Sequence, residues 1–88
     1  MDSNHAEIVD ALRRMGCSVQ SLAPVGKGCP DLLVGYSGRN ILLEVKAPKG
    51  KPTNDQMTWG ARWNGQMGIV RSVADVIRVL TYEGWRRA

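Results

Sequence analysis

Phenylalanine is missing from this chain, whose aromatic residues are three Trp and two Tyr. It therefore lacks the aromatic sheet surface on which RNA-recognition modules stack bases. Cysteine is nearly as scarce. Cys17 and Cys29 are too few for a disulfide scaffold and form no CxxC pair for a zinc knuckle, which leaves them as small buried hydrophobes in a thiol-reducing compartment. The single histidine, His5, lies near the terminus and reads as a surface residue. No apolar run approaches the roughly 18 residues of a membrane span. The start, Met1-Asp2-Ser3-Asn4-His5, has neither the basic flank nor the apolar stretch of a signal peptide. Internal repeats and low-complexity segments are absent as well. Together these absences predict a soluble cytoplasmic protein with no membrane partner.

What is present looks like one small folded domain. Hydrophobic residues make up 43% of the chain and charged residues 23%, the proportions of an ordinary globular sequence rather than a disordered tract. Its 88 residues suffice for one domain, 1–88. A chain of that length buries roughly 60–65% of its unfolded surface, so the core is modest. Twelve Lys and Arg against eight Asp and Glu give a net charge of +4 and a pI near 9.5. That balance favours a polyanionic partner such as nucleic acid.

Patterning predicts the element order α-β-β-β-α-β-α. Ile8, Val9, Leu12 and Met15 recur at helical spacing over Asn4 to Met15, with Gly16 placed to end the helix and Glu7 three residues after Asn4 for a capping box. A short alternating strand over Cys17 to Leu22 precedes the Gly/Pro-rich loop Ala23 to Pro30. Two apolar runs, Asp31–Tyr36 and Arg39–Lys46, flank the turn Ser37-Gly38 and read as a hairpin of central strands covered on both faces. Thr53-Asn54-Asp55-Gln56 is a capping-box opening for a helix to about Asn64, in which Trp59 and Trp63 read as a packing ridge against the sheet. Gly68–Arg71 is a last strand, and Ser72 starts a third helix with Val73, Val76, Ile77 and Leu80 on its buried side.

The hairpin carries the chemistry. A two-residue loop at Ser37-Gly38 sets Asp31 directly across from Glu44, with Lys46 on the same face because strand side chains alternate. One lysine balances one carboxylate, not two, and a divalent cation held by hard oxygen ligands would offset both. A three-residue loop, Tyr36-Ser37-Gly38, is equally good turn chemistry and would face Asp31 to Leu43 instead. Taken singly, Asp31 also reads as a turn residue and Glu44-Val45-Lys46 as a solvated strand end.

Gly28-Cys29-Pro30-Asp31-Leu32-Leu33-Val34, Leu43-Glu44-Val45-Lys46-Ala47 and Gln56-Met57-Thr58-Trp59, with Glu7 and the strand Gly68-Ile69-Val70, together resemble the VRR-NUC domain, a branch of the PD-(D/E)xK nuclease superfamily. The resemblance runs over nearly the whole chain. It implies a restriction-endonuclease-like α/β core, a central mixed sheet flanked by helices, and a Mg²⁺- or Mn²⁺-dependent phosphodiesterase. Asp31 and Glu44 would hold the metal with the Val45 carbonyl, and Glu7 would reach it directly or through water. Lys46 would position or help deprotonate the attacking water, and Gln56 would join the site as well as the helix cap. Stand-alone viral domains of this kind look like junction-resolving enzymes acting inside a bacterial host. The implied substrate is thus branched or structured DNA, and a homodimer would match a two-fold four-way junction.

Lys27, Lys49 and Lys51 sit in loops flanking these residues and are placed to hold DNA phosphates. Arg86 and Arg87, beside Trp85, are a further phosphate contact or a tail. Two other readings remain open: a basic nucleic-acid-binding module without catalysis, and a flap-trimming or restriction-like nuclease.

Overall fold

A computed structural model describes residues 4–82; Trp85, Arg86 and Arg87 lie outside the described residues. Helix α1 (His5–Arg14) buries Ile8 and Leu12, one turn apart on a single face. It stops where Gly16 N–H donates to the Arg13 carbonyl and Cys17 N–H to the Leu12 carbonyl, each at 3.0 Å, the paired bonds of a Schellman end. The capping box at its start does not form. Asn4 instead spends its side-chain amide across the fold, donating to the Lys46 carbonyl at 3.0 Å and the Arg71 carbonyl at 2.9 Å. That leaves Glu7 exposed.

Strand β1 (Ser18–Ser21) pairs antiparallel with β2 (Leu32–Tyr36), and β2 with β3 (Arg39–Val45). Tyr36 faces Arg39 and Leu32 faces Leu43, so the hairpin has the two-residue loop. Ser37 (φ 51°) and Gly38 (φ 77°) both take left-handed backbone, which makes a primed turn whose twist matches that of the strands. After helix α2 (Asn54–Arg62), strand β4 (Met67–Val70) returns parallel to β3, giving a mixed sheet in the order β1-β2-β3-β4. Helix α3 (Val73–Leu80) closes the described fold, its first turn capped by the Ser72 hydroxyl. The domain is thus α/β, with a four-stranded mixed sheet and three helices in the predicted order. No helix among the described residues is long and apolar enough to cross a membrane.

The core lies on one face of the sheet. Ile8 and Leu12 of α1 and Val76 and Leu80 of α3 meet Leu32, Val34, Ile41, Leu43 and Val45 there, with Cys17 and Val70. Alternation turns Leu42 and Glu44 to the other face, toward α2. That second layer is thin, because α2 buries none of its residues.

Three expectations about burial change as a result. Strand β3 is buried through its last five residues, but in β2 only Leu32 and Val34 are fully covered, and Leu33 between them is half-buried. Trp63 is 45% exposed and is no core residue. In α3, Ile77 is 49% exposed while Val79 packs on the core. The cause lies across the interface at Gly68, where a Cβ would come within 3.1 Å of Val79 Cγ2; Val79 fills the space that the missing side chain leaves.

Candidate active site

The open end of the β2–β3 ribbon places the two predicted carboxylates. The strand pairing ends at Leu32–Leu43, and the next residues on the two strands, Asp31 and Glu44, stand side by side at the open end of the ribbon. Three features fix Asp31. Pro30, fully buried before it, has no N–H to extend the ladder. The Asp31 carbonyl accepts from Leu22 N–H at 2.7 Å on the β1 side. Its carboxylate Oδ2 accepts from Val45 N–H at 2.9 Å on the β3 side, satisfying a backbone donor that the strand pairing no longer serves.

Glu44 is only 3% exposed, an unusual place for a carboxylate without strong compensation. Its Oε2 accepts from Gln56 Nε2 at 3.0 Å and lies 3.8 Å from Lys46 Nζ. The Lys46 side chain is itself 12% exposed, so this ion pair is shielded from water. Gln56 does two jobs at once. Its Oε1 accepts from Thr53 N–H at 2.9 Å to complete the capping box of α2, while its Nε2 holds Glu44. The cap and the site use opposite ends of one amide.

The loop before Asp31 is pressed against this cluster. Gly28 has φ +86°, and any Cβ on it would collide with the Asp55 carbonyl in the first turn of α2. Cys29 follows it half-buried, and its thiol is pushed above the ordinary value of 9.0, first by burial and then by the charges of Glu44 and Asp31. One thiol thus feels both carboxylates. Cys17, in contrast, is a core residue, raised by burial alone.

The remaining predicted residues are spread more widely. Val45 is buried beside Glu44 at the strand end. Lys49 and Lys51 are exposed on the loop after Lys46, which Arg71 holds by donating from Nη2 to the Gly50 carbonyl at 2.8 Å. Lys27 is exposed and reaches α2, where it lines a groove with Asp55, Thr58, Trp59, Arg62 and Trp63. Glu7 is exposed on α1, one turn past Asn4, whose amide holds the Lys46 carbonyl, and lines a groove with Asp10, Ala11, Arg14, Met15 and Val73. Among the described residues, no group of three or more His, Cys, Asp or Glu is gathered to hold a metal.

Sequence reasoning passed over Arg62 and placed Trp63 in the packing ridge, although that residue is exposed while Trp59 is half-buried.

Chemically, two carboxylates, one shielded ammonium and one amide donor converge at the mouth of a β-ribbon, with basic loops on either side. The cluster carries one more negative than positive charge. Its hard oxygen donors suit a divalent ion that retains water. No family model, no curated protein and no solved structure matches this chain.

Proposed function

We propose that the protein is a Mg²⁺- or Mn²⁺-dependent endodeoxyribonuclease of the VRR-NUC type, and that its mixed sheet and helices form a restriction-endonuclease-like core. The observation that supports this reading is Lys46 Nζ 3.8 Å from the buried Glu44 Oε2, with Asp31 Oδ2 held by the N–H of Val45, the residue between Glu44 and Lys46. Both carboxylates and the Val45 carbonyl would hold the ion, leaving other positions to water and substrate phosphate, as Mg²⁺ commonly does. A bound ion lowers the pKa of its water and neutralises developing charge on phosphate. The protein's own residues supply the positioning. Val45 N–H orients Asp31, and Gln56 orients Glu44. Lys46 steers the attacking water and balances charge on the phosphoryl oxygens. Glu7 enters this scheme through the family resemblance alone.

DNA follows from the same resemblance and from the basic loops bearing Lys27, Lys49 and Lys51. Branched or structured DNA is the proposed substrate, cut by a homodimer in the cytoplasm of a host cell, since two-fold symmetry presents two sites to a two-fold junction. The experiment is cleavage of a four-way junction with Mg²⁺ or Mn²⁺ by the wild type, Asp31→Asn and Lys46→Met. Cleavage by the wild type alone, with DNA binding retained in both variants, is the expected result. Wild-type protein that binds junctions but cuts none with either ion is a nucleic-acid-binding module instead. Sedimentation of a cleaving protein as a monomer would remove the dimer from the proposal.

A further inference from the structure

The groove on α2 has a surface that the hydrolytic cluster does not use. Trp59 and Trp63 stack with ring centroids 4.9 Å apart and planes 20° from parallel. The pair does not serve the core, because α2 buries no residue and Trp63 is 45% exposed. Gly65 lies against the Trp63 indole, where a Cβ would come within 2.8 Å of Nε1. Lys27 and Arg62 stand on the same groove, with Asp55 its one carboxylate and Thr58 its hydroxyl. Its volume of about 380 Å³ falls within the size of small-ligand sites. A stacked aromatic pair with its outer ring exposed and cations beside it matches a ligand that is flat and anionic. A second copy of the chain fits less well, since a two-fold contact would set this basic patch against itself.

The geometry points to this groove as the seat of an unpaired nucleotide of the DNA substrate, its base packed on the Trp63 indole and its phosphates held by Lys27 and Arg62. The inference rests on the nuclease reading and adds what that site selects: a strand that leaves the duplex. The placement is suitable. Gly28 abuts the first turn of α2, and Gln56 in that turn bonds Glu44. From Gln56 to Arg62, the last residue of α2, the helix rises about 9 Å, so the groove lies within a few nucleotides of the cluster. Bases packed on aromatic rings bind with little regard to sequence, so the groove selects strand state rather than base identity.

The test uses the full chain in Ca²⁺ and compares binding of a labelled oligothymidylate with binding of a blunt duplex of equal length. Trp63→Ala is expected to weaken oligothymidylate binding roughly tenfold, as loss of one base–aromatic stack does, and to leave the duplex unaffected. Trp63→Phe should restore most of the loss. Trp63→Leu, which keeps apolar bulk without an aromatic face, should behave as Trp63→Ala and covers the case of a misfolded alanine variant. Equal loss on both DNAs, or loss on neither, overturns the inference. So does conversion of a dimer to a monomer by Trp63→Ala, which would assign the groove to a second copy. The two readings fail separately: a wild type that cuts junctions while Trp63→Ala binds normally sinks only the groove, whereas a wild type that binds neither DNA sinks both.

Discussion

Gln56 Nε2 donates to Glu44 Oε2 at 3.0 Å while Oε1 of the same side chain accepts from Thr53 N–H at 2.9 Å. A helix that buries none of its residues is thereby tied to the buried carboxylate beneath it. The start of α2 and the geometry of the cluster are therefore coupled through one amide. Disturbing either end should be felt at the other.

Two substitutions separate the ends. Gln56→Ala removes both bonds; it should lower stability by about 1 kcal/mol, the usual worth of a cap, and lower cleavage as Glu44 loses its donor. Gln56→Glu keeps an acceptor for Thr53 N–H but sets a second negative charge against Glu44. Its loss of cleavage should exceed that of Gln56→Ala as Glu44 is repelled from its place, while the added hard oxygen donor should lower the Mn²⁺ needed for half-maximal rate. Thermal melting and a Mn²⁺ titration of the cleavage rate measure the two effects. If Gln56→Glu matches the wild type in both, the Glu44 contact has no part in the reaction.

Glu7 offers a contrast with Asp31. It is exposed on the α1–α3 groove, so Glu7→Gln should change stability by no more than about 0.5 kcal/mol and leave Mn²⁺ affinity as it was. Asp31→Asn keeps an oxygen to accept Val45 N–H, so the fold should persist while Mn²⁺ affinity falls and cleavage drops about a hundredfold or more. Calorimetric Mn²⁺ titration of both variants gives the comparison. Should Glu7→Gln abolish Mn²⁺ binding, Glu7 belongs to the metal shell, as the family resemblance implies.

The parts of this fold legible in the sequence are those governed by short-range chemistry. Ser37-Gly38 between two apolar runs leaves few turn types, and the choice between two and three loop residues was settled by left-handed backbone at Ser37 as well as Gly38. Thr53 and Gln56 form their box because partners three residues apart meet at any helix start. What stayed hidden depends on distant neighbours. Asn4 has the residues for a local cap, yet two carbonyls at the ends of β3 and β4 claim its amide. Val79 replaces Ile77 in the core because Gly68, across the interface, offers room. The tryptophan spacing matches a packing ridge, but how much sheet α2 covers is a tertiary property. Within the site, Asp31, Glu44, Lys46 and Gln56 share a face that strand alternation and helix spacing foretell, while the position of Glu7 depends on how α1 docks.

Gly28 should tolerate no side chain. Its φ of +86° is strained for any L residue, and a Cβ would strike the Asp55 carbonyl. Gly28→Ala should destabilise the protein by more than about 1 kcal/mol and push the loop carrying Lys27 off α2. The change should reduce oligothymidylate binding and cleavage together, whereas Gly26→Ala, at a positive φ but with open space around it, should bring only the backbone strain. Denaturant unfolding of the two variants makes the comparison. Equal destabilisation would mean that the contact with α2 contributes nothing.

Stability at alkaline pH should report on Cys17. Burial raises its thiol above the ordinary value of 9.0 in the folded state. The unfolded chain, with its thiol at the ordinary value, therefore loses that proton first as pH rises, and binds fewer protons than the folded chain over that interval. Stability consequently falls as pH climbs from about 9 through the folded-state value, and is unaffected by this group well below it. Cys17→Ala removes the dependence. It also leaves a small void, which shifts stability by the same amount at every pH, so the quantity to read is the slope. Urea midpoints measured from neutral pH to above 10 should decline less steeply for Cys17→Ala than for the wild type. Parallel declines would mean that the Cys17 thiol ionises as readily in the fold as in the unfolded chain, and that α1 and β1 leave it open to water.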